Sequence, residues 1–474
     1  MKLNKVRTKE ILEKVEITEA VAEGKAMARV EDRVIFVPFV VPGDIVDILI
    51  KKKKKNFAEG EAIAFHQYSD FRIDAHCPHF GFCGGCKWQT LRYDKQLFFK
   101  NKQVLDNLQR IGKIDCNNAL PIIGSEEQFF YRNKLEFTFS SKQWLTKLTE
   151  DIKKNEEGAL GFHIPNFFDK VLEITDCALQ KEPSNEIRNF IRSYVTEKKL
   201  PFYDIRNHNG LMRNLIIRTS TTNDLMLIVV FAENSPEIEP LLQTVANQFP
   251  QISSLLYVIN TKFNDTIGDQ NIICFKGKDF IMEQMPMFHN ENQMLNFKIR
   301  GKSFYQTNSK QAYQLYKIAA ETANLTKESI VYDLYTGCGT IANFIAGSVK
   351  KVIGIEYVDE AIIDARENSK ENGILNTTFF AGDMSKVLTD EFVSINGKPD
   401  IIITDPPRAG MHPDVLTQLL KTAAKKIVYI SCNPATQARD INTLLDKYTV
   451  GKIQPVDMFP HTHHVENVVE LNLK

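Results

Sequence analysis

The C-terminal part of the chain alternates short apolar runs with longer amphipathic stretches. The apolar runs at residues 330–334, 352–355 and 427–430 are rich in β-branched side chains, which is typical of strands buried on both faces of a parallel sheet. Helical patterns separate such runs from about residue 304 onward. This alternation predicts a doubly wound, Rossmann-like α/β domain over residues 298–474.

The N-terminal part has a shorter period, in which apolar and polar residues alternate between Pro and Gly residues. Examples lie at residues 34–38 and 44–48. Short strands separated by turns give this pattern, which predicts a small OB-like β-barrel over residues 1–66. Five consecutive lysines follow at residues 51–55. Such a run commonly marks a solvated strand end, and contact with nucleic-acid phosphates is the alternative.

The middle of the chain divides into two parts. Residues 67–90 are rich in turn residues and carry three cysteines. From residue 91 to residue 297 helical and strand patterns mix: residues 95–111 have the period of an amphipathic helix, and residues 225–231 have the composition of a buried strand. We therefore expect a cysteine segment over 67–90 and an α+β central domain over 91–297.

Length and charge narrow the class of protein. A chain of 474 residues is too long for one hydrophobic core, so it predicts several domains. The 59 Lys and Arg residues balance 59 Asp and Glu residues, so RNA would have to be bound by local basic patches. Residues 1–14 lack the apolar core of a signal peptide, and no apolar run is long enough to span a membrane. We expect a cytoplasmic monomer without membrane contact, whose cysteines are reduced, metal-bound or catalytic.

One cysteine follows the strand predicted at residues 427–430. Cys432 lies in the sequence Ser-Cys-Asn-Pro, at the carboxyl end of that strand, where open α/β sheets form their binding crevices. A cysteine there can be a catalytic nucleophile or a small buried apolar residue. Taken alone, the residue favours the two interpretations about equally.

Three further cysteines lie close together in the turn-rich segment. Cys77, Cys83 and Cys86 are interspersed with glycines and a proline, which let the backbone fold tightly around an inorganic centre. Zinc and an iron-sulfur cluster are both chemically possible. A fourth ligand is required, and His76 or His79 could complete a zinc site.

A site for a nucleotide-type cofactor is indicated at the start of the α/β domain. The strand at residues 330–334 leads into a glycine turn at residues 335–340. Acidic residues end the strands that follow: Glu356, Asp383 and Asp405. The first of these stands where an acid bonds ribose hydroxyls. Asn343 replaces the third glycine of a dinucleotide fingerprint, which favours S-adenosylmethionine over NAD because the methyl donor has no phosphates to bind.

Together these motifs resemble the RNA uracil-5-methyltransferases, in particular the bacterial 23S ribosomal RNA members, along nearly the full chain. The resemblance rests on TRAM-like sequences at residues 24–44, the cysteine segment, Phe-x-Gln-x-Asn at residues 304–308, Cys432, and the closing segment at residues 461–466. It implies a 4Fe-4S cluster whose ligands are Cys77, Cys83, Cys86 and Cys177. The other cysteines match no motif of the family and are taken as incidental: Cys116, Cys274 and Cys338.

The resemblance also implies a role for each site residue. Cys432 is the nucleophile and Glu466 the general base. Six residues correspond to cofactor or active-site positions: Gln306, Tyr335, Thr340, Glu356, Asp383 and Asp405. Two positions depart from the family pattern, since Thr340 stands where some members have Asn, and Asp405 is followed by Pro-Pro where others have Pro-Ala.

The chemistry of these residues suits methylation of uracil at C5. Uracil C5 is too weakly nucleophilic to accept a methyl group unaided, so a thiolate must first add to C6, and a base must later remove the C5 proton. A paired base cannot enter such a crevice, so the uridine must be flipped out or single-stranded. By resemblance, residues 131–134 and 211–214 help to hold RNA, and a place in a core strand is the alternative for their apolar members. The resemblance implies 5-methyluridine in 23S ribosomal RNA as the product.

Three alternatives stay open at this point. Transfer-RNA uridine C5 methyltransferases share the catalytic half of the chain. Asp-Pro-Pro at residues 405–407 also occurs in amino-methyltransferases that act on exocyclic nitrogens, but these need no cysteine. The third alternative is a non-catalytic RNA-binding protein with a redox-sensing cluster, in which Cys432 and Glu466 would have no role.

Overall fold

The computed structural model describes residues 10–146, 158–165 and 167–474. Residues 1–9, which the barrel and signal-peptide predictions include, lie outside the described residues. The N-terminal strands are β1 (Ile11–Glu16), β2 (Glu19–Ala20), β3 (Lys25–Val30), β4 (Arg33–Pro38), β5 (Ile45–Lys53) and β6 (Phe57–Gln67). They form one sheet in the order β1-β5-β6-β4-β3-β2. Alternate side chains such as Ala28, Ile35 and Ile48 are fully buried in one core, which confirms the predicted N-terminal β-domain.

The central domain is a second sheet with helices packed on it. Its elements are β7 (Lys134–Ser140), β8 (Ala159–His163), β9 (Val171–Glu173), α2 (Ser184–Glu197), β10 (Met212–Thr219), β11 (Leu225–Phe231), α3 (Ile238–Gln248), β12 (Ser254–Ile259) and β13 (Ile272–Gly277). The strand order is β13-β12-β11-β10-β7-β8-β9. Strand β11 has the bounds that its apolar run predicted, and all its residues are buried. Apolar side chains of α2 and α3 complete the core on this sheet.

The C-terminal domain is the doubly wound α/β domain that the sequence predicted. Its strands are β16 (Ile330–Leu334), β17 (Lys351–Glu356), β18 (Thr377–Ala381), β19 (Ile401–Thr404), β20 (Lys426–Ser431), β21 (Tyr448–Val456) and β22 (Glu466–Leu473). Its helices are α4 (Ser309–Ala323), α5 (Thr340–Ala346), α6 (Asp359–Glu371), α7 (Met384–Val387), α8 (Asp390–Asn396), α9 (Pro413–Thr422) and α10 (Pro434–Leu444).

The order of these strands is β18-β17-β16-β19-β20-β22-β21. Strands β16 to β20 pair in parallel, whereas β22 runs antiparallel to both β20 and β21. The order reverses between β16 and β19, the switch point at which open α/β sheets bind ligands. The binding crevice is therefore expected at the carboxyl ends of β16 and β19.

Two elements predicted within the central domain pack against the C-terminal domain. Helix α1 (Tyr93–Arg110) buries Val104 and Leu108 in the core that also contains Tyr332 and Tyr429. The hairpin of β14 (Phe280–Met287) and β15 (Asn290–Arg300) buries its apolar side chains in a core shared with α4 and α5. An amphipathic pattern shows that one face is buried but does not identify the element that covers it.

None of the helices in the described part of the chain is long and apolar enough to cross a membrane.

Candidate active site

Five of the predicted site residues lie at one edge of the C-terminal sheet. Tyr335 follows β16, Glu356 ends β17, Asp383 follows β18 by two residues, Asp405 follows β19 and Cys432 follows β20. The parallel register aligns these strand ends, because Leu334 pairs with both Ile355 and Thr404. Strand β22 runs the other way, so its first residue, Glu466, lies at the same edge.

Cys432 and Glu466 lie next to each other across two neighbouring strands. The last paired residues of β20 and β22 at this edge are Ser431 and Asn467, so Cys432 and Glu466 occupy the next position along each chain. Glu466 is also fixed from its other side, where it pairs with Val456 of β21. The geometry brings a thiol and a carboxyl group together at one end of the crevice.

Three acidic groups in this corner influence one another. Glu466 is 5% exposed, and burial followed by the charge of Asp405 holds its pKa well above the usual range. Burial, with a further contribution from Asp333, raises the pKa of Asp405 to about 7. Burial and the charges of Glu466 and Asp405 raise the pKa of the Cys432 thiol to about 11. With nothing bound, the thiol is therefore protonated at neutral pH.

Arg408 is the cationic residue that opposes these charges, since it lowers the pKa values of both Cys432 and Glu466. Its backbone carbonyl accepts hydrogen bonds from Asn433 Nδ2 (3.0 Å) and Thr436 Oγ1 (3.1 Å). Asn433 also caps α10, because its Oδ1 accepts a hydrogen bond from Ala435 N–H at 3.1 Å. One amide thus joins the turn after β19 to the turn that carries the thiol. Both residues belong to motifs of the sequence, but the motifs alone gave neither of them a role.

The glycine turn after β16 is held by two carboxylates. Gly337 and Gly339 have φ values of 55° and 78°, in the left-handed region that favours glycine. Glu356 accepts a hydrogen bond from Gly337 N–H at 3.1 Å, and its other oxygen accepts from Tyr357 N–H at 2.8 Å. Its carboxylate is thus held against the turn, where an acid at this position bonds ribose hydroxyls.

The second carboxylate is Asp333, which was not among the predicted site residues. Its side chain is fully buried and accepts hydrogen bonds from Thr336 Oγ1 (2.5 Å) and Ala342 N–H (3.1 Å). Burial raises its pKa to about 7. An acidic residue inside an otherwise apolar strand was a usable signal, because an acid is rarely buried without partners.

Tyr335 and Asp383 lie with Glu356 in the cofactor part of the edge. Tyr335 adopts a φ of 64°, and burial followed by the charges of Asp440, Asp383 and Glu356 raises the pKa of its hydroxyl to about 12. Asp383 is more exposed and caps α7, accepting a hydrogen bond from Ser385 N–H at 3.0 Å. The hydrogen bonds from Ser385 lower the pKa of this carboxyl, so it remains an acceptor.

Gln306 and Thr340, the remaining predicted cofactor residues, lie next to the glycine turn and within the helix that follows it. The segment that carries Gln306 contacts the glycine turn, because Cys338 Sγ donates a hydrogen bond to Phe304 O at 3.3 Å. Cys338, regarded as incidental above, is therefore a buried link between the two. Thr340 is buried, with its hydroxyl 3.5 Å from the hydroxyl of Tyr316 on α4.

The four cysteines predicted to hold a metal cluster converge although Cys177 is distant in sequence. Burial and the charges of Cys86, Cys177 and Cys77 raise the pKa of Cys83 to about 12. Burial likewise raises the pKa of Cys177 to about 11, with contributions from Cys86 and Cys77. Among the described residues, no group of three or more His, Cys, Asp or Glu side chains is arranged to hold a single metal ion.

The two histidines considered for a zinc site are engaged elsewhere. His79 Nε2 accepts a hydrogen bond from Thr175 N–H at 3.1 Å. The ring of His76 lies 4.7 Å from the ring of Phe129. Neither histidine is therefore placed as a fourth ligand, and the thiols of Cys83 and Cys177 are influenced by the charges of the other cysteines.

Several residues of the central domain that were predicted to contact RNA are buried instead. Tyr131 is 5% exposed and donates a hydrogen bond to Pro460 O at 2.9 Å. Arg213 is 1% exposed and donates to backbone carbonyls of Asn260 and Asn264 at 2.7 and 2.9 Å. Leu211 is also buried. These side chains brace the domain and cannot reach RNA, although their residue types suit such contacts.

Comparisons with known proteins identify the family of the chain. A family model described as tRNA (Uracil-5-)-methyltransferase matches residues 266–474, and the TRAM domain model matches residues 12–63. An uncharacterized RNA methyltransferase of Bacteroides thetaiotaomicron is 56% identical over 459 residues, covering 96% of this chain and 100% of that protein. A second, from Porphyromonas gingivalis, is 54% identical over 467 residues, covering 96% of this chain and 99% of that protein.

A solved structure is similar over nearly the whole chain. It is the tRNA (uracil-54, C5)-methyltransferase of Pyrococcus abyssi in complex with S-adenosyl-L-homocysteine, at 27% identity and a TM-score of 0.72. The match covers 96% of this chain and 100% of that structure. The Bacteroides and Porphyromonas relatives share more than half of their residues with this chain over nearly its whole length. Together with the family models they exclude the non-catalytic alternative, and the chain belongs to the RNA (uracil-5-)-methyltransferase family.

Proposed function

We propose that the protein transfers a methyl group from S-adenosylmethionine to C5 of a uridine in 23S ribosomal RNA. The observation that carries this proposal is the juxtaposition of Cys432 and Glu466 at the end of the β20–β22 ladder. C5 and C6 are adjacent atoms of one ring, so a nucleophile for C6 and a base for C5 must lie side by side. An enzyme acting on exocyclic nitrogens has no use for this pair.

The reaction follows from the roles of these two groups. The Cys432 thiolate adds to C6, and the electron pair displaced from the C5–C6 double bond makes C5 nucleophilic. C5 then takes the methyl group from the sulfonium sulfur, which leaves S-adenosylhomocysteine as the second product, and Glu466 removes the C5 proton. The C6–S bond breaks as the double bond re-forms, which releases 5-methyluridine and the Cys432 thiolate. The Cys432 pKa of about 11 means that the thiol must lose a proton before the first step.

The remaining edge residues would hold the cofactor, whose sulfonium supplies an activated methyl group when bound. Glu356 and Asp383 present carboxylate oxygens to ribose and adenine donors, and Tyr335 lines the same part of the crevice. Asp405 lies between that part and the thiol, because β19 stands between β16 and β20 in the sheet, and Gln306 belongs to the segment that contacts the glycine turn. The side chain of Thr340 faces α4, so we assign it a place in the wall and no direct bond.

The cysteine site would hold a 4Fe-4S cluster. The support is that the thiols of Cys83 and Cys177 are influenced by the charges of the other predicted ligands, and that four cysteines are the usual donor set of such a cluster. Cys77 and Cys177 are braced for this role, because Gln89 Oε1 and Asn185 Oδ1 accept hydrogen bonds from their backbone N–H groups, each at 2.9 Å.

Ribosomal RNA is proposed because the TRAM domain and the cysteine segment resemble those of the 23S ribosomal RNA members of the family. The Pyrococcus protein is described as acting on transfer RNA, so that class is the alternative substrate. We propose that the enzyme acts as a monomer in the cytoplasm, where its RNA substrates are made.

Mapping 5-methyluridine in a strain that lacks this gene tests the proposal. We expect the modified base to disappear from 23S ribosomal RNA, to persist in transfer RNA, and to return with the wild-type gene but not with Cys432→Ala. Loss from transfer RNA alone would make the alternative substrate correct. Unchanged 5-methyluridine in both RNA classes would overturn the proposed function.

A further inference from the structure

A nine-residue loop, 457–465, separates the active-site base from the strand that precedes it. The loop joins β21 to β22, and its two ends face each other because Val456 pairs with Glu466. We call it the base loop. Its residues contact the cysteine segment, α1, the central domain and the Gln306 segment, so it touches most of the elements around the crevice.

Asp457 anchors the first residue of the base loop. Its carboxylate is fully buried and accepts hydrogen bonds from Lys100 Nζ at 2.6 Å and from the Tyr93 hydroxyl at 2.9 Å. Lys100, also fully buried, donates to Phe459 O at 3.0 Å, and Phe459 N–H donates to Asp457 Oδ1 at 3.0 Å. The direction in which the chain leaves β21 is thus set by one ammonium group and one hydroxyl group of α1.

His461 anchors the middle of the base loop. Its φ is 64°, and its carbonyl accepts hydrogen bonds from the backbone N–H groups of Lys87 at 2.8 Å and Trp88 at 3.0 Å. Its own N–H donates to Gln96 Oε1 at 2.8 Å, and its ring stacks on Phe129 at 4.3 Å. Lys87 follows Cys86 directly, so the cysteine segment is tied to the loop five residues before Glu466.

Two further hydrogen bonds connect the base loop to the other parts of the site. Tyr131 of the central domain donates to Pro460 O at 2.9 Å. Asn308 Nδ2 donates to Met458 O at 3.0 Å, two residues after Gln306. The segment proposed to contact the cofactor and the loop that leads to the base are therefore held in one network.

The ion pair at the centre of this network contributes little net stability by itself. Removing two charges from water costs about as much as their attraction returns, so an apolar pair of similar volume is often equally stable. An ion pair with defined hydrogen bonds does fix orientation, which an apolar pair does not.

We infer that Asp457 and His461 are positioning residues that set the position of Glu466 relative to Cys432 through the base loop. The inference rests on the proposed function. It assigns to the cysteine segment and α1 a part in the chemical step, in addition to bracing the fold.

The test uses the full-length enzyme and transcripts of 23S ribosomal RNA and transfer RNA that contain 5-fluorouridine. Fluorine at C5 cannot leave as a proton does, so the covalent RNA adduct accumulates and its rate of formation can be measured. Tyr93→Phe and Tyr131→Phe each remove one hydroxyl that bonds the base loop. Tyr448→Phe is the matched control, because its buried hydroxyl bonds Ala424 O at 3.0 Å at the opposite end of β21.

We expect the three Tyr→Phe variants to lose similar thermal stability. At saturating RNA, Tyr93→Phe and Tyr131→Phe should form the adduct about tenfold more slowly than the wild-type enzyme, and their affinity for RNA should be unchanged. Tyr448→Phe should react at the wild-type rate. The double variant Lys100→Met with Asp457→Leu should keep its melting temperature, because an apolar pair can replace a buried ion pair without loss of stability. Its adduct should form about a hundredfold more slowly, which is the loss of rate expected when a catalytic group is misplaced by about 1 Å.

A double variant that is stable and reacts at the wild-type rate would overturn the inference alone. The inference would also be overturned if Tyr448→Phe formed the adduct as slowly as Tyr93→Phe and Tyr131→Phe, because the loss of rate would then result from lower stability in general. If the wild-type enzyme formed no adduct with either RNA, the proposed function would fail and the inference with it.

Discussion

Cys432 and Glu466 face each other one position beyond Ser431 and Asn467, the last bonded pair of β20 and β22 at the active-site edge. Two adjacent strands place the nucleophile beside the base. Burial, followed by the charges of Glu466 and Asp405, raises the pKa of the Cys432 thiol to about 11, so both carboxyl groups disfavour the thiolate.

Replacing the nucleophile should stop the reaction without preventing binding. Cys432→Ala removes the group that adds to C6, and we expect turnover to fall at least about a thousandfold. RNA and cofactor affinities should remain, because the small change in side-chain volume leaves the crevice intact. Rates come from transfer of labelled methyl groups, and adduct formation from 5-fluorouridine RNA. Normal methylation by this variant would contradict covalent catalysis.

Replacing the base should halt the reaction after methyl transfer. Glu466→Gln keeps the shape of the side chain but cannot accept the C5 proton, so the methylated RNA should stay attached to Cys432. The trapped species is detected as labelled RNA that migrates with the denatured protein. Complete turnover with no trapped species would assign proton removal to another group.

Glu466→Gln should also change the pH dependence of the thiol. Only the thiolate reacts with iodoacetamide, so in the free wild-type enzyme the alkylation rate of Cys432 should rise with pH towards about 11. The Glu466 charge raises this pKa, so its removal should lower the pKa and speed alkylation below that value. Glu470→Gln on the same strand, where Glu470 pairs with Lys426, is the control and should leave the profile unchanged.

Sequence patterns predicted the sheet and the residues at its edge but not their surroundings. The runs at residues 225–231 and 330–334 coincide with β11 and β16 because apolar β-branched runs suit strands buried on both faces. Tyr131 and Arg213 were misassigned to RNA contact because residue type does not show exposure. The place of Lys100 and Asp457 could not be foreseen, since they come together from positions 357 residues apart.

The cysteine site should contain iron that depends on Cys177. We expect protein purified without oxygen to be brown, with about four irons per chain, and Cys177→Ser to be colourless. Its melting temperature should also fall, because Ala178 O and Leu179 O accept hydrogen bonds from Phe130 and Arg132 N–H, each at 2.7 Å. Cys274→Ser, in an exposed position on β13, should keep the iron. Stoichiometric zinc, or full iron in Cys177→Ser, would show that the metal or the fourth ligand is wrong.

The lysine run should bind RNA phosphates through only part of its length. Lys51 and Lys53 pair with Glu61 and Glu10, whereas Lys52, Lys54 and Lys55 are exposed without an ion-pair partner among the residues that the structure describes. Replacing these three by Gln should weaken RNA binding and make its logarithmic salt dependence shallower by about 0.7–0.9 for each phosphate that the protein no longer neutralises. Methylation at saturating RNA should change much less. Lys51→Gln with Lys53→Gln is the matched control, and it should change the slope of the salt dependence little. If the triple variant keeps the wild-type slope, the run is a solvated strand end.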